Sequence, residues 1–199
     1  LMIARVLYDK GFNEYLAAAK LIKAQRNDVE FQLLGAIDSG NPSGVPQSVV
    51  EDAVSNGFIN YLGTTSDVLP IIGEADCMVL PSYREGISRV LMEAASMEKP
   101  IIATNVTGCR EVINDGETGF LCKVKSPVDL AHKMAKIINM TEKEKVVMGQ
   151  KGRVKVIEEM DLEKIIDIYD YKIAAVLGEE EGITVDLQGL ISLRKTKKI

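Results

Sequence analysis

Short apolar runs alternate with longer segments of helical spacing along most of the chain, and this rhythm constrains the fold more than any other feature. The runs "LMIAR" (1–5), "EFQLLG" (30–35), "FINYLG" (58–63), "DCMVLP" (76–81), "PIIATN" (100–105) and "TGFLCK" (118–123) read as strands, because they are short, largely apolar and bounded by turn formers. Between the first two, Phe12, Leu16, Ala19 and Ile22 recur at helical spacing. The loop "DSGNPSGVP" (38–46) leads into a helix over 47–57, and shorter helical segments follow at 66–75 and 88–98. "SPVDLAHKMAKIINM" opens with a Ser-Pro helix start, and helices over 142–159 and 161–178 complete the pattern.

Strands separated by helices imply βαβ units, hence a parallel sheet with right-handed crossovers. Six strands in this rhythm predict an α/β, doubly wound, Rossmann-like sheet in the order 3-2-1-4-5-6, with helices on both faces. In that order the first and fourth strands are neighbours, and a ligand crevice opens between their carboxyl ends. The loops there are "RVLYDKG" (5–11) and "PSYREGIS" (81–88). Both of the chain's unusual charge constellations therefore fall at the predicted switch point.

Composition excludes several alternatives. A net charge of −5 argues against general nucleic-acid binding, which needs a basic face. No apolar run approaches the ~18 residues that a spanning helix requires. "LMIARV" lacks the features of a signal peptide and reads as a strand already under way, so more chain is expected upstream. Cys77, Cys109 and Cys122 are odd in number and show no CxxC spacing, which points to a reducing compartment and no zinc site. The single histidine, His132, belongs to a helical pattern and reads as a surface or half-buried residue. Residues 179–199 lose helical period and read as a tail or returning segment. The other reading of that tail is a membrane-surface or partner contact through Arg194, Lys195, Lys197 and Lys198.

In the first loop, Arg5 and Lys10 flank a helix start opened by Gly11. Two cations beside the N–H groups of a helix N-terminus make an anion trap. The plainer alternative is that Arg5 pairs with a neighbouring acid and Lys10 is solvated. In the second loop, Gly86 permits close backbone approach or positive φ, and Ser88 is a candidate N-cap. The amides of Ile87, Ser88 and Arg89 are expected to point at an anion. Glu85 and Glu93 each offer a carboxylate able to accept two hydrogen bonds from a vicinal diol. Against this stand an Arg89–Glu93 i,i+4 pair, a helix-dipole role for Glu85, and a metal site that lacks Asp or His company. "TGCRE" (107–111) lies on the same edge, where Arg110 and Glu111 offer contacts to a ligand, with a mutual or helix-cap role as the alternative. Cys109 reads as an inert small residue.

Together, "ARVLYDKGF", "YLGTTSDVLPIIGEADCMVLPSYREGISRVLMEAASMEKPIIATNVTGCREVINDGETGFL" and the following helix resemble the C-terminal, donor-binding half of a glycosyltransferase family 4 enzyme of GT-B fold, over about residues 1–178. The resemblance implies that Arg5 and Lys10 bind the diphosphate of a nucleotide sugar and stabilise the departing nucleoside diphosphate. It implies that Glu85 holds hydroxyls of the donor sugar, with the backbone of Gly86, Ile87 and Ser88 close to sugar and phosphate. Glu93 would bind the ribose, and the base would lie along Tyr61, Leu62, Gly63 and Thr64. Such enzymes retain anomeric configuration and are typically metal-independent, so no cofactor is expected. "EGIS" stands where many members read "EGFG", a variant that looks like enzymes building bacterial surface polysaccharides and lipid-linked oligosaccharides from UDP-sugars.

The expectation is therefore a hexosyltransferase half, inactive alone, completed by an N-terminal Rossmann domain. Its partners would be a UDP-sugar and a saccharide or polyprenyl-linked acceptor, with no nucleic acid. It would be cytoplasmic, with peripheral contact at the inner face of the plasma membrane. A GT-B epimerase, a phosphorylase-like protein and a non-catalytic anion-binding module are the alternatives.

Overall fold

The structure is a computed structural model and describes residues 1–38 and 40–177. The tail at 179–199, with its basic end, lies outside the described residues. Among the latter, the strands are β1 (Met2–Ile3), β2 (Gln32–Leu34), β3 (Asn60–Tyr61), β4 (Met78–Leu80), β5 (Ile101–Thr104) and β6 (Gly119–Cys122). The helices are α1 (Phe12–Lys23), α2 (Gln47–Ser55), α3 (Leu69–Glu74), α4 (Arg89–Ser96), α5 (Pro127–Ile138), α6 (Glu142–Glu159) and α7 (Leu162–Leu177). Each expected element is present, with strands shorter than the apolar runs that announced them.

All pairings between these strands are parallel. β2 lies between β1 and β3, and β5 lies between β4 and β6. Two backbone bonds join these triplets: the Leu1 nitrogen donates to Cys77 O at 2.9 Å, and Val79 N donates to Leu1 O at 2.8 Å. That is the bond pattern of a parallel pair centred on Leu1 and Met78. The strand order is thus β3-β2-β1-β4-β5-β6, as the helix–strand rhythm predicts.

Burial explains why these runs are almost continuously apolar. Val79 and Ile102 join Phe12, Tyr15, Leu130 and Met134 of α1 and α5 in one core. Met78, Leu80, Ile101 and Ala103 alternate with them in sequence and are equally buried, so the centre of the sheet is covered on both faces. On α1, Phe12, Tyr15, Ala18, Ala19 and Ile22 form the buried stripe. α5 starts as its sequence announces, with Pro127 in the first turn and Ser126 Oγ accepting from Asp129 N at 3.4 Å.

Residues Leu1–Val156 form one compact unit, and a second begins at Ile157. Within the second, Asp161 Oδ1 accepts from Glu163 N at 2.9 Å at the start of α7. Lys164 Nζ donates to the carbonyls of Ile157 and Glu158, both at 3.1 Å. Among the described residues no helix is long and apolar enough to cross a membrane.

Candidate functional site

The loops after β1 and β4 meet at the carboxyl edge. After β1 the chain makes a 3-10 turn over Tyr8–Lys10, and Gly11 then takes φ +81° as the N-cap of α1. A Cβ on Gly11 would stand 2.1 Å from Pro81 O, so only glycine allows both the left-handed turn and this approach. Tyr83 N donates to Asp9 O at 2.8 Å. Buried Ser82 places its Oγ 3.3 Å from Asp9 O and 2.9 Å from Arg84 O.

This contact brings two of the expected site residues together. Lys10 Nζ donates to Glu85 Oε1 at 2.7 Å, with side chains 24% and 12% exposed. Partial exclusion of water strengthens such a charged hydrogen bond relative to a surface pair. Arg5 follows the plainer reading, reaching Asp38 Oδ2 at 3.5 Å with its side chain 59% exposed. A pair that open contributes little to stability, so the guanidinium is available to other anions.

Around Gly86 the geometry corrects the sequence reading. Gly86 does not take positive φ; the residue that does is Gly108 in the loop after β5, at +85°. A Cβ there would overlap Gly86 O at 1.2 Å, so Gly108 packs directly on the Glu85–Gly86 backbone. Ser88 is the N-cap residue of α4 but its side chain makes no capping bond. Its amide is already committed to Gly108 O at 3.1 Å, so it is not free for an anion as expected. Among the described residues, the N–H groups of Arg89, Val90 and Leu91 meet no acceptor, as the first turn of a helix dictates. The space over Gly86 is open, and Ile87 is exposed.

Glu93 is half-buried on α4, and among the described residues its carboxylate makes no ion pair or hydrogen bond; the Arg89–Glu93 pair does not form. Glu111 Oε2 accepts from Gly108 N at 2.5 Å, and its other oxygen lies 3.6 Å from Arg110 Nε. Desolvation, the largest single influence, acts upward on the Glu111 carboxyl, yet the backbone N–H donors and Arg110 together hold it below the usual range. Burial first, then the Glu85 charge, pushes the Cys109 thiol up to about 12, which fits an inert side chain. At the β3 end, Tyr61 OH donates to Gly35 O at 2.9 Å, and Gly63 O accepts from Gly35 N at 2.8 Å. Leu62 and Gly63 are half-buried, and Thr64 is exposed. His132 is exposed on α5.

Sequence reasoning missed Asp38, Gly108 and the bond from Tyr83 OH to Glu14, 2.9 Å to each carboxylate oxygen. Only Gly108 left a local signal, as a glycine in a loop just after a strand. A cavity of ≈ 490 Å³ opens at the opposite, amino edge of the sheet, lined by residues such as Glu30, Phe31, Asp76 and Cys77. Its walls carry none of the expected site residues. The carboxyl edge is favoured because polar groups from distant loops converge there. Among the described residues no cluster of three or more His, Cys, Asp or Glu is placed to hold a metal ion.

A doubly wound sheet with charged loops meeting at its switch point is an α/β ligand-binding architecture. The family model for glycosyl transferases group 1 matches residues 1–155, and the chain belongs to that family. It is 33% identical over 138 residues to an N,N'-diacetylbacillosaminyl-diphospho-undecaprenol alpha-1,3-N-acetylgalactosaminyltransferase of Campylobacter jejuni, covering 69% of this chain and 35% of that protein. It is 28% identical over 180 residues to the capsular polysaccharide biosynthesis glycosyltransferase CapM of Staphylococcus aureus, covering 90% and 47%. The solved structure of Anabaena Alr3699/HepE in complex with UDP superposes with TM-score 0.75 at 20% identity, over 89% of this chain and 48% of that one. The chain therefore spans about a third to a half of the length of these proteins.

Proposed function

We infer that this chain is the C-terminal, donor-binding half of a retaining, metal-independent glycosyltransferase. The complete enzyme transfers a hexose or N-acetylhexosamine from a UDP-sugar to a saccharide or polyprenyl-linked acceptor, and the chain alone is inactive. The observation that carries this reading is the Lys10–Glu85 contact at the switch point, within a chain of the glycosyl transferases group 1 family.

The roles follow from charge and position. Lys10 and Arg5 offer positive charge to the diphosphate, aided by the unmet N–H groups of α4. Those cations stabilise negative charge as it grows on the departing phosphate oxygen, the task a metal would otherwise perform. Glu85 accepts from donor-sugar hydroxyls, while the open surface of Gly86, with Ile87 and Ser88 beside it, lets sugar and phosphate lie against the backbone. Glu93 accepts from the ribose hydroxyls, and the base lies along Tyr61–Thr64. The bond from the anomeric carbon to the phosphate oxygen breaks and a bond to the acceptor oxygen forms on the same face, which preserves configuration, while the acceptor hydroxyl's proton passes to the departing phosphate oxygen.

The undecaprenyl-linked acceptor named for the Campylobacter relative and the UDP held by the Anabaena protein support the choice of acceptor and nucleotide. A second Rossmann domain upstream completes the cleft and supplies the acceptor wall. The protein acts in the cytoplasm, against the inner face of the membrane where a polyprenyl acceptor would be presented. Incubating the complete protein with a panel of UDP-, GDP- and ADP-sugars and a polyprenyl-diphosphate saccharide tests this. Sugar transfer from a UDP donor by the complete protein but not by this chain is expected; transfer from no donor overturns the reading.

A further inference from the structure

Tyr83 links its own loop after β4, which carries Glu85, to the loop after β1, which carries Lys10, and to the loop after β6. Its amide holds Asp9 O, the neighbour of Lys10, at 2.8 Å, and Glu85 follows it by two positions. Its hydroxyl donates to the Glu14 carboxylate at 2.9 Å, fixing the ring to the first turn of α1. Lys125, from the loop between β6 and α5, places Nζ 4.8 Å from the ring centroid and takes φ +56°, a conformation non-glycine residues rarely adopt. The buried Ser82 carbonyl just before Tyr83 accepts from Thr104 Oγ1 at the end of β5. Its position is therefore set from four sides, while its ring stays half-buried at the rim.

We propose that Tyr83 is the positioning residue of this site: by bonding Glu14 through its hydroxyl and Asp9 through its amide, it holds the Lys10 and Glu85 loops at the separation a sugar diphosphate requires. The proposal rests on the donor-site reading. Neither Tyr83 nor Glu14 touches the ligand in this scheme; both act through the loop that carries Lys10 and the loop that carries Glu85. Partial burial and the Glu14 carboxylate push the Tyr83 phenol up to about 12, so its proton stays in place as a donor through the neutral range.

The physical effect is pre-organisation. With the loops pinned, Lys10 is ordered before the diphosphate arrives; released, it must be ordered at binding, which lowers affinity about three- to tenfold. The loss falls on the diphosphate, because the ribose and base contacts lie on α4 and β3. A chain merely made less stable would lose affinity for every ligand alike.

The test compares UDP, by calorimetry, with uridine, by ligand-observed NMR, on the full chain and its Tyr83→Phe, Glu14→Ala and doubly substituted forms. Tyr83→Phe keeps the ring and its Lys125 contact and deletes only the hydroxyl. UDP affinity should fall about three- to tenfold in each single variant and no further in the double, with uridine affinity unchanged. Equal loss for UDP and uridine, additive losses, or no loss of UDP affinity would each overturn the positioning role. Failure of the parent chain to bind UDP would instead overturn the donor-site reading, and this proposal with it.

Discussion

Lys10 and Glu85 lie 75 positions apart in sequence and 2.7 Å apart in space. The pair exists because β1 and β4 are neighbours at the switch point and because Gly11 lets the two following loops touch. Both partners are largely shielded from water, so each sets the electrostatic surroundings of the other. Diphosphate arriving at this edge would share Lys10 with Glu85 rather than meet a free cation.

Replacing Lys10 with alanine should therefore weaken UDP by about tenfold or more, the loss of one charged hydrogen bond. The difference should shrink as salt is raised, since the contribution is electrostatic. Calorimetric titration of both forms at low and high ionic strength checks this; equal affinities would remove Lys10 from the site.

Glu93 offers a different signature. Its carboxylate makes no bond among the described residues, so Glu93→Ala should leave thermal stability nearly unchanged. If its carboxylate receives the ribose hydroxyls, the parent should prefer UDP to 2′-deoxy-UDP, and the variant should show no preference. A preference that survives the substitution would assign the ribose elsewhere.

Gly108→Ala is expected to be the most damaging single-methyl change on this edge. It adds a Cβ on a residue at φ +85° and drives it into Gly86 O. A cost of about 2–4 kcal/mol follows from strain plus displaced backbone, seen as a lowered denaturant midpoint. A midpoint within error of the parent would mean the two loops are not packed as described.

The cysteines supply a pH dependence. Burial pushes Cys77, Cys109 and Cys122 each up to about 12 in the fold, from an ordinary value near 9.0. The raised value means the unfolded chain loses these protons first, so the thiols' contribution is intact below pH 9 and declines as pH rises towards 12. Unfolding followed from pH 8 to 11 should show stability falling with pH, and native thiols should react slowly with iodoacetamide at pH 8. Rapid labelling of Cys109 or Cys122 in the folded chain at pH 8 would contradict their burial.

How much of this was legible in the sequence depends on the range of each interaction. Strand order followed from the alternation of runs such as "DCMVLP" with helices such as the one bearing Leu91, because hydrophobic periodicity is local and crossover handedness is general. Strand ends were overestimated where the chain leaves the ladder to build loops: "FINYLG" contributes only Asn60–Tyr61 to β3. Placing Lys10 and Glu85 on one edge was possible from topology alone. Their contact was not, nor was the use of the Ser88 amide by Gly108, because loop-to-loop bonds leave no periodic trace. Arg5 shows the same limit: Asp38 is 33 positions away, and nothing in spacing selects it over other acids.

In the proposed function, the loops after β1 and β4 form one nucleotide-sugar site. Titrating UDP into this chain by calorimetry, with and without EDTA, tests it most directly. Because the chain offers one wall of a cleft, the dissociation constant should be about micromolar or weaker, and EDTA should leave it unchanged. No binding up to millimolar UDP, or binding that EDTA abolishes, would contradict the account.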